Sequence, residues 1–374
     1  MNARTATITP FTIDIPDQQL ADLKERLTLT RWPAEVTDDW SRGQPVRFIK
    51  ELCEQWLNRF DWRAAAARLN RLPQFTTEID GQTIHFVHVR SGRAGAFPLV
   101  LTHGWPATFA EYADLIEPLT NPASGQAFDL VMPSLPGFGF STPLAGPGWD
   151  SARTARAWDV LMQRLGYARY GFVGNDVGSF VGKEIGVLAP KGLAGVHVQQ
   201  IFAFPGDAAD WANMDAFEAA GMANADKWEA ANGYQRIQQT RPATLAYGLV
   251  DSPAAQLAWN TELIFGTDGH AAETFDRERF LTDVSIYWFT GSGGSAANIY
   301  LEDFRSNGGS DDRRVDVPVA VAVFPDDFRS VRAFCEPNNN IVQWTQMPRG
   351  GHFAAITAPE LLAADVQTFF AGLV

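Results

Sequence analysis

The chain has 374 residues, 46% of them hydrophobic, with a formal net charge of −13 and a sequence pI near 4.9. That is enough apolar chain for one large core with accessory elements, and an acidic balance without any Lys/Arg run excludes nucleic acid and anionic membrane surfaces as partners. Met1–Ile15 has no charged-then-apolar leader, runs such as Val319–Phe324 are too short to span a bilayer, and Cys53 and Cys335 lie far apart without metal-type spacing, so the reading is a cytoplasmic protein with two buried thiols and no membrane anchor.

Residues 1–90 read as an N-terminal meander. They open on a strand-like Phe11–Ile15, followed by a helical pattern that Asp17 can cap, with Leu20, Leu23 and Leu27 on one face. Trp32-Pro33 breaks this helix, Phe48–Phe60 is helical again, and Thr83–Val89 alternates as a strand. From 91 to 205 the rhythm changes. Short apolar strands at Leu99–Thr102, Leu130–Pro133, Tyr170–Val173 and Gly195–Gln199 alternate with helices, of which Ser151–Leu165 is the clearest. Such alternation implies a mostly parallel, doubly wound sheet. Residues 206–305 read as helices and loops rich in aromatics: Trp211, Trp228, Tyr234, Trp259, Trp288 and Tyr300. Residues 306–374 resume the sheet with Pro318–Phe324 and Val342–Met347 and close on a helix at Pro359–Phe370. A sheet that pauses for helices and then resumes is an α/β core carrying an inserted helical cap.

Gly174-Asn175-Asp176-Val177-Gly178 lies between the strand Tyr170–Val173 and the helical stretch Ser179–Leu188. This is the strand–turn–helix setting of the nucleophile elbow of α/β-hydrolases, where small residues flank a strained central position. The central residue is an aspartate in place of the usual serine. A carboxylate attacks carbon directly, displaces a leaving group and forms an ester that water must then cleave. The free N–H groups and dipole of the following helix favour an ionised Asp176. An isolated G-x-D-x-G is just as readily a helix-capping turn, so the partners decide. Ser179 lies inside the helix and is not read as a nucleophile.

His103-Gly104-Trp105-Pro106 follows an early strand, where this plan carries an oxyanion loop. The backbone N–H groups of Trp105 and Val177 are the two expected donors, since Pro106 has none; His103 is read as ordering the loop. Of the six histidines, His352 alone sits in a loop after a late strand and before the final helix. It is the expected general base. His85, His88, His197 and His270 are read as structural. The acid that supports the base should follow the strand Val319–Phe324, and order alone leaves Asp326 and Asp327 equally eligible.

Taken together these motifs identify the chain as similar to the microsomal-type epoxide hydrolases, including their soluble bacterial members. The resemblance runs over nearly the whole length: Pro10-Phe11, Arg31-Trp32-Pro33, Phe60-Asp61-Trp62, Ile84 to Val89, His103 to Pro106, Pro133 to Ser141, the Asp176 elbow, Gly350 to Ala355 and Pro359 to Leu362. It implies that Asp327 is the acid, and that Tyr234 and Tyr300 of the cap hydrogen-bond the epoxide oxygen and protonate it; without the resemblance both read as packing tyrosines. It implies an epoxide, apolar by the aromatic cap, and water as substrates, and no metal or organic cofactor. Three departures stand out: the mammalian membrane anchor is absent, Val177 replaces the tryptophan usual after the nucleophile, and Ala107-Thr108 replace Gly-Ser. A haloalkane dehalogenase would share the aspartyl ester but needs halide-holding donors that Val177 cannot supply. A non-catalytic binding protein on the same fold would be expected to lose part of the nucleophile, base and acid, all of which are present. Oligomeric state, and a detoxifying as against a biosynthetic role, stay open.

Overall fold

The computed structural model describes residues 7–204, 214–264, 275–307 and 312–374. Trp211 and His270 lie outside them, as does the side chain of Trp228. Among the described residues a nine-stranded sheet runs β1-β2-β3-β5-β4-β6-β7-β8-β9. β1 (Thr9–Phe11), β2 (Gln74–Ile79), β3 (Gln82–Val89) and β5 (Phe128–Pro133) pair antiparallel in turn. From β5 through β4 (Phe97–Thr102), β6 (Tyr170–Gly174), β7 (Leu193–Val198), β8 (Val315–Val323) and β9 (Asn339–Gln346) every pairing is parallel.

Parallel neighbours require crossovers, and here helices make them. They include α4 (Ile116–Thr120), α5 (Ser151–Arg164) and α6 (Val177–Leu188), and the chain closes on α16 (Pro359–Ala371). The pleat of β4 sends Leu99 and Leu101 to the face covered by Leu362, Val366 and Phe369 of α16, and Val100 to the face covered by α5 and α6. A strand apolar on both sides is what a sheet buried on both faces demands.

Between β7 and β8 the described chain is helical: α7 (Ala216–Ala231), α8 (Gly233–Thr240), α9 (Pro242–Asp251), α10 (Pro253–Ile264), α11 (Arg277–Thr290), α12 (Gly293–Ala296) and α13 (Asn298–Asn307). The N-terminal helices α1 (Asp17–Thr28) and α2 (Val46–Asn58) pack on this layer. Leu23, Phe48, Leu52 and Trp56 share a buried cluster with Leu257, Phe280, Leu281 and Val284. The Trp56 indole N–H donates to Ser285 Oγ at 2.9 Å.

Two local expectations are corrected. β1 ends at Phe11, so the strand expected over Phe11–Ile15 does not pair there. Ile13 and Ile15 are buried as the alternation requires. The Ile13 backbone is instead satisfied by the side-chain amide of Asn70, which accepts from its N–H and donates to its carbonyl, both at 2.9 Å. Pro16, not Asp17, is the N-cap residue of α1, and Asp17 occupies the first turn, where its charge suits the helix dipole without a capping bond. Between Phe60 and Thr83 the structure adds the helix α3 (Trp62–Leu69), capped by the Asp61 side chain, and the strand β2.

Candidate active site

β6 ends at Gly174, and α6 begins at Val177. Asp176 sits between them with φ 54° and ψ −119°, a strained conformation for a residue with a side chain. The turn closes only because its neighbours lack Cβ atoms. A Cβ on Gly174 would overlap the Gly178 carbonyl, and one on Gly178 would overlap the Thr102 carbonyl of β4. Gly104, in the loop after β4, faces Asp176 itself: a Cβ there would lie 2.6 Å from Asp176 Cγ and closer still to Oδ1. That proximity lets the next N–H, of Trp105, donate to Asp176 Oδ1 at 2.8 Å. Val177 is the first residue of α6, where a backbone N–H has no intrahelical acceptor.

The other carboxylate oxygen, Oδ2, lies 3.4 Å from His352 Nε2. His352 Nδ1 contacts Asp327 Oδ1 at 2.7 Å, and Asp327 is fixed in turn by the Phe328 N–H at 2.7 Å and by the Gln200 amide. Asp326 points away and is exposed, while its backbone bridges to Gly351 and so docks the Asp326-Asp327 loop on the loop that carries His352. Of the two acids left open by order, Asp327 is the one brought to the histidine. Burial works against protonating His352, but the charges and hydrogen bonds of Asp327 and Asp176 outweigh it and hold the imidazole well above its usual range.

Tyr234 of α8 and Tyr300 of α13 meet at one residue. The Trp105 ring stacks on Tyr234 at 5.0 Å and 18°, and meets Tyr300 edge-on at 6.4 Å and 90°. Burial, with the Asp176 charge next, pushes the Tyr300 phenol well above its ordinary range, so it keeps its proton.

The other described histidines are held in contacts of their own. His103 Nε2 accepts from the Leu135 N–H at 3.2 Å while Nδ1 faces the Gly104 carbonyl at 3.1 Å. Burial depresses His103 to about 4 and His85 to about 3, leaving both neutral near pH 7. His85 bridges Ser134 and Gln74, His88 contacts Tyr167, and His197 pairs with Asp365 at 2.8 Å.

Residues missed by sequence reasoning complete the site. Gln200, just beyond the end of β7, accepts the Asp176 N–H at 3.1 Å and the Ser179 hydroxyl at 2.9 Å through Oε1. Its Nε2 donates to Asn175 Oδ1 at 2.9 Å and to Asp327. Asn175 Nδ2 donates to Glu111 Oε1 at 2.9 Å. The only sequence signal for Gln200 was its position at the carboxyl end of a parallel strand. Among the described residues no group of three or more His, Cys, Asp or Glu could hold a metal ion, and no helix is long and apolar enough to cross a membrane.

Comparison with known proteins agrees with this architecture. The chain matches the family model of the epoxide hydrolase N terminus over residues 8–112 and that of the alpha/beta hydrolase fold over residues 98–249. A Stigmatella aurantiaca protein provisionally named as an epoxide hydrolase is 41% identical, over 97% of this chain and 84% of its own. Juvenile hormone epoxide hydrolase 1 of Ctenocephalides felis is 32% identical, over 97% of this chain and 85% of its own. Among solved structures, Aspergillus niger epoxide hydrolase superposes with a TM-score of 0.87 at 32% identity, covering 98% of this chain and 97% of its own. The juvenile hormone epoxide hydrolase of Bombyx mori superposes with a TM-score of 0.90 at 26% identity, covering 98% and 95%.

Proposed function

The chain belongs to the epoxide hydrolase family on the α/β-hydrolase fold, and on that premise we propose that it opens an epoxide to a vicinal diol through an ester on Asp176. The observation that carries the mechanism is the division of labour between the two Asp176 oxygens. Oδ1 is held by the Trp105 N–H, and Oδ2 faces the base. Oδ2 is therefore the attacking atom: its lone pair forms a bond to a ring carbon as the carbon–oxygen bond of the epoxide breaks. The electron pair goes to the epoxide oxygen, which takes a proton from Tyr234 or Tyr300.

Esterification also changes the base. One of the two anions holding His352 protonated is consumed, so its pKa falls. The proton it releases restores the tyrosine. Neutral His352 then takes a proton from water as the water oxygen adds to Cγ. Charge develops on Oδ1, already bound by Trp105, with the Val177 N–H as second donor. The diol oxygen leaves with the proton from His352, and the new carboxyl proton returns to His352. Asp327 holds the imidazole in the required tautomer throughout. Trp105, Val177, Tyr234 and Tyr300 favour an apolar substituent beside the epoxide.

The test is one turnover of styrene oxide in heavy-oxygen water with enzyme in excess. The label is expected on the Asp176 carboxylate and not in the first diol, whose new oxygen comes from Oδ2. Label entering the diol directly while Asp176 stays unlabelled would refute the ester.

A further inference from the structure

We infer that Glu111 is a positioning residue for the hydrolytic half of the reaction: a buried carboxylic acid that orients the Asp327–His352 pair through the side chains of Asn175 and Gln200. The inference rests on the Asp176 ester proposed above.

Glu111 lies in the short 3-10 helix Phe109–Leu115 that follows the oxyanion loop, and it is fully buried. Its Oε1 accepts from Asn175 Nδ2 at 2.9 Å. That contact decides which way the Asn175 amide faces, because its oxygen must then meet the Gln200 Nε2, also at 2.9 Å. Gln200 is thereby committed. Its NH₂ points to Asn175 and Asp327, and its oxygen is left to accept from Asp176 N and Ser179 Oγ. Each amide in the chain has one orientation only while Glu111 is present. Without that acceptor Asn175 can turn over, Gln200 loses a reason to face Asp327, and the acid loses a donor that fixes its rotamer. A chain of buried polar groups is worth having only when every member is satisfied.

The second carboxyl oxygen, Oε2, is buried without a partner among the described residues. An anion there would be buried with one oxygen lacking any donor, so the neutral acid is the form that fits. The charged and titratable groups facing Glu111 are His352 from the base loop, Asp176 from the elbow and Asp283 from α11, the last beside Arg279. Tyr112, on its own helix, donates instead to the Thr102 carbonyl. Burial pushes Glu111 up to about 8; the Asn175 hydrogen bond and His352 oppose this, while Asp283 and Asp176 add to it. The sign follows. In the resting enzyme Glu111 is neutral below about 8; when it ionises it sets a buried negative charge in the site where the oxyanion of ester hydrolysis must form. Ester hydrolysis in the wild type should therefore weaken toward alkaline pH.

Glu111→Gln is isosteric and permanently neutral, and its carbonyl can still accept from Asn175. Glu111→Leu removes the acceptor. Excess enzyme is mixed with styrene oxide from about pH 6 to about pH 10, quenched, and the ester on Asp176 followed by intact-protein mass. Glu111→Gln is expected to keep both steps within about 3-fold near pH 7 and to lose the alkaline decline in ester decay. Glu111→Leu should slow ester decay about 10-fold more than ester formation. An alkaline decline in Glu111→Gln identical to the wild type overturns the inference, as does equal slowing of both steps by Glu111→Leu. No ester in the wild type overturns both this inference and the mechanism on which it rests. A wild-type ester whose decay profile Glu111→Gln leaves unchanged overturns this inference alone.

Discussion

Gly104→Ala is the smallest change that tests the geometry around the nucleophile. The added methyl would stand 2.6 Å from Asp176 Cγ, and ordinary contact begins at 3.4 Å, so the two must separate by at least about 0.8 Å. Neither side can move freely. Asp176 is pinned through its N–H by Gln200 and stands at the start of α6, whose first turn packs against Thr102. Gly104 stands between the buried residues Thr102, His103 and Trp105. The separation therefore comes from the oxyanion contact, stretching the Trp105 N–H to Oδ1 distance from 2.8 Å beyond hydrogen-bond range. A misplacement near 1 Å at a reacting centre costs about 10²-fold, and the overpacking itself costs about 1–3 kcal/mol of stability. Single-turnover mass measurement should show ester formation and decay both slowed by about 10- to 100-fold, because Oδ1 is bound in the attacking carboxylate and in the tetrahedral intermediate alike. Thermal unfolding monitored in parallel separates loss of fold from loss of geometry. A folded Gly104→Ala protein with both steps within about 3-fold of wild type would refute the reasoning.

His352→Gln removes the base without adding bulk; the ester should form and then persist, with decay slowed by about 10²- to 10⁴-fold, and rapid diol release by that variant would dismiss His352 as the base. Tyr300→Phe should slow ester formation by about 10- to 100-fold, less than loss of a sole general acid because Tyr234 remains, and leave ester decay within about 3-fold; an unchanged rate of formation would remove Tyr300 from the proton-donor role.

What was legible in the sequence was whatever a short stretch of chain must do alone. The elbow announces itself because one strained residue needs two glycines at fixed offsets, and the close approaches at Gly174 and Gly178 give the reason. His352, the proposed base, announces itself by chain order. The two acids could not be separated by order, because the choice between Asp326 and Asp327 is made by which side chain turns inward when the Asp326 backbone bridges to Gly351. Ile13 and Ile15 alternate as a strand would and are buried as a strand would be, yet the partner is an amide side chain 57 residues away. A period-2 pattern reports burial, and says nothing of what satisfies the backbone. Glu111, Asn175, Gln200 and Asp327 form one hydrogen-bonded chain from four separate segments. A glutamine has no spacing rule that marks it, so such a chain appears only when the segments are folded together.

The oxyanion loop does more than supply one N–H. Asp176, the proposed nucleophile, stands at the end of a sheet strand, and Tyr234 and Tyr300 stand on the helical layer, so their alignment depends on how the two layers are joined. Reactive groups must be held to about 0.5 Å to be useful. The loop is where the joining occurs. The Trp105 main chain binds Asp176 Oδ1 while its ring packs on Tyr234 and Tyr300. Two residues further on, the Tyr287 hydroxyl of α11 donates to the Ala107 carbonyl at 3.1 Å, and the Thr108 hydroxyl beside it donates to Asp283 Oδ1 at 2.5 Å. Burial raises Asp283 to about 7, so near neutrality the acceptor of this hydrogen bond is only partly ionised. The N-terminal helices reinforce the same joint from outside, since Trp56 anchors to Ser285 on α11, next to Asp283. Substrate lying between sheet and helical layer would thus meet a carboxylate and two phenols whose separation is set by a loop in contact with all three.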